Sequence, residues 1–73
     1  MIEVRLFAGL REGRQKIYQM DNTDIACVQD VMDLLNIKRS EVNILLINGF
    51  HQKPETEVKD GDVVSLFPAG GGG

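Results

Sequence analysis

Few side chains in this sequence are suited to conventional catalysis. His51 is the sole histidine, and it sits beside a turn signal, where a surface residue is expected and not an acid–base group. Cys27 is the sole cysteine. It stands near a helix start with no base close in sequence, so a capping or half-buried thiol is expected ahead of a nucleophile. Asp60 and Asp62 flank Gly61 and read as turn residues, not as paired carboxylates. What remains is the end of the sequence: Ala69 and then Gly70, Gly71, Gly72 and Gly73. Glycines have no Cβ and can pass extended through a narrow channel, reaching with Ala69 about 17 Å at about 3.4 Å per residue. The Gly73 carboxylate is sterically unhindered for attack on, or by, another group. A bland alternative stands beside this reading, in which the tail is only a flexible linker.

Such a thread needs a body to hold it. Lys59 to Asp62 is a turn signal leading into the apolar run Val63 to Phe67, a buried strand that Pro68 is expected to end, since proline has no N–H to give. At the other end Ile2, Val4, Leu6 and Ala8 alternate with Glu3, Arg5 and Phe7, the period of a strand. Residues 9–13 form a turn, and Gln15 to Met20 is a weaker, polar edge strand paired with the first as a hairpin. Val28, Val31, Met32, Leu34 and Leu35 make one apolar helix face, with Asp30 and Asp33 toward water. Asp24 or Cys27 caps its start, and Asn36 suits its end. Asn43 to Ile47 is a third strand inside the sheet. Asn48-Gly49 is a two-residue hairpin turn into a brief strand from Phe50.

This order, β-β-α-β-(β)-β, is that of an α+β β-grasp domain. One main helix crosses a mixed sheet of four or five strands, with the first and last strands side by side and parallel. The expected division is a domain over 1–68 and a glycine tail over 69–73. If Val4, Leu6, Val64 and Leu66 face the helix, alternation puts Phe7 and Phe67 on the opposite face as exposed aromatics beside the tail exit. With Pro68 they would form a docking patch for a partner; the alternative is that the rings cover the edge of a small core.

Composition narrows the classes. Seventy-three residues make one domain that buries about 60% of its unfolded surface, too little for a deep catalytic pocket. A net charge of −3 with no dense Lys/Arg cluster argues against nucleic acid. One cysteine excludes a disulfide within the chain and a four-cysteine iron–sulfur cluster. No apolar run approaches the roughly 18 residues that span a bilayer. The start Met-Ile-Glu-Val has no basic leader region, so the cytoplasm is the expected compartment.

Leu6-Phe7-Ala8-Gly9-Leu10-Arg11-Glu12, Asn48-Gly49, Asp60-Gly61-Asp62, Phe67-Pro68 and the closing Gly72-Gly73 together resemble one family. It is the ubiquitin-like sulfur carriers of MoaD and ThiS type, and the likeness runs from Val4 to Gly73. The first of these stretches looks more like the molybdopterin branch than the thiazole branch. The resemblance implies that a ThiF/MoeB-like adenylating enzyme uses MgATP to convert the Gly73 carboxylate to an acyl-adenylate. A sulfur donor then displaces AMP and leaves a thiocarboxylate. It further implies a MoaE-like large subunit of molybdopterin synthase, or a thiazole synthase, as the recipient, and no cofactor held permanently. The four-glycine run departs from family tails, which often carry a bulkier residue just upstream. A ubiquitin-like modifier joined to lysines through Gly73 is the competing function.

Overall fold

Five strands, one α-helix and three short 3₁₀ turns make up residues 1–69, which are the residues the computed structural model describes. The strands are β1 (Ile2–Leu6), β2 (Ile17–Met20), β3 (Val42–Ile47), β4 (Phe50–His51) and β5 (Val63–Pro68), and the helix α1 is Val28–Leu34. The sheet order is β2-β1-β5-β3-β4. β1 and β5 run parallel, with Val4 opposite Val64 and Leu6 opposite Leu66, while the other pairs are antiparallel. This is the β-grasp arrangement expected from element order. β2 is the edge strand foreseen, although it begins at Ile17 and not at Gln15.

The core lies between the sheet and α1. Ile2, Val4, Leu6, Val64 and Leu66 from the central strands meet Val28, Val31 and Met32 of the helix, all with no exposed surface. Fully burying each such side chain contributes roughly 1.5–3 kcal/mol before the entropy of ordering the chain is set against it. Leu34 departs from expectation: it is 63% exposed. At 3.6 residues per turn it sits roughly 120° round the helix from the stripe centred on Val28 and Leu35, so a seven-residue helix turns it to water.

Both helix ends are fixed by their flanking residues. Cys27, not Asp24, is the N-terminal cap residue. Asp30 was expected to be a solvated residue, but its carboxylate reaches back to accept from the N–H groups of Ala26 (2.8 Å) and Cys27 (3.3 Å). At the other end Asn36 takes a left-handed φ of 57°, and Ile37 N–H bonds to Met32 C=O at 2.8 Å, a Schellman closure. Arg14, from the loop after β1, donates to the carbonyls of Leu35 (3.1 Å), Asn36 (3.1 Å) and Leu10 (3.2 Å). Its cation satisfies helix-terminal carbonyls where positive charge is favoured.

Two turns are tied to each other. Asn48 and Gly49 both have positive φ, as the expected tight hairpin turn requires. The Asn48 amide donates to Asp62 at 2.9 Å and accepts from Val63 N–H at 2.9 Å. Asp62 also accepts from Lys59 N–H at 2.8 Å, so it serves the turns at the start of β5.

Candidate functional site

β5 is the central strand, and its final residues define the site. Pro68 does not end the strand before itself: it is the last strand residue and lies opposite Val42. The reason is the side its nitrogen faces. Leu66 C=O accepts from Phe7 N–H on the β1 side, whereas Ala69 N–H donates to Glu41 C=O at 2.8 Å on the β3 side. Alternation therefore turns the Pro68 nitrogen toward β1, beyond that strand's end at Leu6, where no hydrogen bond is lost. On the β3 side the register shifts between Ile44 and Val42, which leaves Asn43 as the extra residue of a bulge.

Phe7 and Phe67 stack across β1 and β5 on the face away from α1. Their ring centroids are 4.3 Å apart and their planes differ by 8°. Both rings are half-buried, in place of the exposed aromatics expected, because each covers one side of the other. The Arg11 guanidinium lies 5.5 Å from the Phe7 ring centre and donates through Nε to Leu6 C=O at 2.8 Å. That bond holds the cation over the ring. Ile44 lies opposite Phe67 in the register, and Leu46 lies opposite Ser65. Both are half-buried and extend the apolar surface across β3.

Sequence reasoning placed Phe7, Phe67 and Pro68 together, and the structure brings these three to one end of the sheet. It missed Ile44 and Leu46, read only as a strand apolar on both faces. Alternation against Leu45 and Ile47, which are buried, was the signal that would have found them. Gly70, Gly71, Gly72 and Gly73 lie outside the described residues.

The other candidates stay apart from this end of the sheet. His51 is exposed on β4, and Cys27 is half-buried at the start of α1, bridged to Glu57. Among the described residues, no three His, Cys, Asp or Glu side chains gather to hold a metal ion. None of the described helices is long and apolar enough to cross a membrane. The exposed carboxylates are held by neighbours in the fold. Glu3 is lowered below the usual range by hydrogen bonds from Arg5 and then Gln19, Asp21 by those from Thr23, and Glu55 by that from Arg39.

Comparison with known proteins gives this geometry a family. No curated protein matches the sequence. SAMP1 of Haloferax volcanii, a small archaeal modifier protein, is similar at 26% identity and a TM-score of 0.74, over 99% of this chain and 98% of its own. A putative molybdopterin converting factor subunit 1 of Pyrococcus furiosus is similar at 26% identity and a TM-score of 0.73, over 92% and 94% of the two chains. Subunit 1 of the molybdopterin-converting factor of Helicobacter pylori, solved in complex with subunit 2, shares the fold at 24% identity and a TM-score of 0.66, over 99% and 97%. The sequence profile of the ThiS family matches residues 4–73, from the third residue of β1 through the closing glycines. A central strand that leads out beside stacked aromatics, on a domain matched from β1 to its last residue, thus belongs to the ThiS family of ubiquitin-like sulfur carriers, small carrier proteins and not free-standing enzymes.

Proposed function

We propose that this carrier holds its sulfur at the Gly73 carboxylate and delivers it to molybdopterin synthesis. The supporting observation is the end of β5: the strand passes Phe67 and Pro68, and Ala69 N–H is fixed to Glu41 C=O, so the chain is braced beside an apolar face up to Ala69. A carboxylate is a poor electrophile because its oxygen is a poor leaving group. Attack of a Gly73 oxygen on the α-phosphorus of MgATP, in a ThiF/MoeB-like adenylating enzyme, releases pyrophosphate and forms an acyl-adenylate. Sulfide-level sulfur (HS⁻) from a sulfur donor then attacks the carbonyl carbon, AMP departs, and a thiocarboxylate remains, nucleophilic at sulfur. Gly70, Gly71 and Gly72 serve as the thread that reaches the enzyme's site. Ordering them costs roughly 1–2 kcal/mol per residue, so the face around Phe7, Phe67 and Pro68 must supply binding.

The likeness to molybdopterin converting factor subunit 1, and the existence of such a subunit 1 in complex with a subunit 2, favour a MoaE-like recipient. The likeness to a small archaeal modifier protein favours a second reading, in which Gly73 is joined to lysines of other proteins. A ThiS-like delivery to thiazole synthase uses the same chemistry up to the thiocarboxylate. One experiment separates carrier from modifier. The chain is incubated with its adenylating enzyme, MgATP and a sulfur donor, and its intact mass is taken. Exchange of one oxygen for one sulfur in the last peptide is expected; an isopeptide adduct with no such exchange would overturn the proposal. Co-purification of the large subunit, against thiazole synthase, then assigns the pathway.

A further inference from the structure

Beside the ring stack, at the loop end of the β1–β2 hairpin, lies a cavity of about 210 Å³ lined by Arg5, Leu6, Phe7, Arg11, Lys16 and Ile17. Three of its six lining residues are cations and none is an acid, on a chain whose net charge is −3. The remaining walls are apolar, and Ile17 is left 49% exposed at the rim. Arg5 is engaged through Nε by Glu3, and Arg11 through Nε by Leu6 C=O. The Lys16 ammonium has no hydrogen-bond partner among the described residues. Positive charge is thus concentrated on one small apolar concavity of an acidic protein.

We propose that this cavity seats the carboxylate of an Asp or Glu side chain on the protein that takes up the tail, with Lys16 and Arg11 as its counter-charges. The inference rests on the reading above, that this face meets such a protein. Two observations favour a protein side chain over a free phosphate. Sites for phosphate commonly present backbone N–H groups. Here the N–H of Leu6 is taken by Lys16 C=O at 2.8 Å and that of Phe7 by Leu66 C=O at 3.2 Å. The walls of Phe7 and Ile17 instead suit the aliphatic stem of a Glu or Asp. The cavity is also continuous with the stack through Phe7, so one docking event fills both. Because the rest of the chain is acidic, an acidic partner patch is drawn to this spot and repelled elsewhere, which orients the encounter.

The test measures association with the adenylating enzyme. Lys16→Glu should slow association about tenfold at low ionic strength, and Lys16→Gln by less; the gap should close near 1 M salt, where screening acts over about 3 Å. Lys53→Glu makes the same change in net charge in the loop after β4, on the opposite edge of the sheet, and should leave the association rate within about twofold. Amide spectra check that each variant is folded. Equal effects of the two reversals, or none from Lys16→Glu, would overturn the cavity's role while leaving the carrier reading intact. If the wild-type chain fails to bind the enzyme, both readings fall. Saturable shifts at Arg11 and Lys16 when inorganic phosphate is titrated into the free chain at constant ionic strength would instead mark a free-anion site and overturn the proposal.

Discussion

The two faces of the sheet are made by the same strands and are built to different rules. Toward α1, Val4, Leu6, Val64 and Leu66 have no exposed surface and no polar neighbour in the core. On the outer face, one residue along from each, stand Arg5, Phe7, Ser65 and Phe67, half-covered or exposed, with cations among the aromatics. The inner face is satisfied by the chain itself. The outer face is an apolar and basic surface for which the described residues supply no cover. Stability therefore resides in one face and recognition in the other, one peptide unit apart.

Adjacent substitutions on β5 test that division most sharply. Leu66→Ala opens a cavity in the core and should lower unfolding free energy by about 2–5 kcal/mol in urea titrations. Phe67→Ser, its neighbour, should leave the domain folded, removing about 1 kcal/mol from the ring pair, while partner affinity falls tenfold or more. Should the two cost the same stability, the rings belong to the core and the division is wrong. Arg14→Ala removes two carbonyl contacts at the end of α1 and one to Leu10, and should cost about 2 kcal/mol without touching partner affinity. The smallest effect concerns pH. Glu3, Asp21 and Glu55 are lowered in the fold, so their contribution is fully present above the ordinary carboxylate range near 4. It is lost as pH falls through their native values. Stability should be level from pH 7 to about 5 and decline below about 4, with added salt softening the part due to Arg5 and Arg39.

Most of the architecture was legible because local signals agreed with the global order. Alternation from Ile2 to Leu6, the Asn48-Gly49 turn and the helix stripe each carry their own period or backbone demand. The errors came where a rule depends on surroundings. Pro68 reads as a strand breaker until its nitrogen is known to face past the end of β1. Asp30 reads as a solvated carboxylate until the chain turns back to bring it two N–H groups. Leu34 counts as apolar in any pattern, yet a helix this short leaves it outside. Arg14 was invisible, since the carbonyl of Leu35 lies 21 residues away in sequence. At the site, Phe7 and Phe67 followed from alternation. Their stacking, and the basic cavity next to it, needed β1 and β5 to be aligned in register.

The strand order carries one more implication, for how the molecule comes into being. β5 separates β2-β1 from β3-β4, so before it is placed the sheet is two hairpins with nothing between them. On a ribosome making the chain from its first residue, the last strand to emerge is the one that welds the halves together. A nascent or clipped polypeptide stopping short of Leu66 would lack both a finished core and a mounting for the thread. The compact state thus certifies, to any enzyme that grips it, that the chain has been made at least as far as its exit.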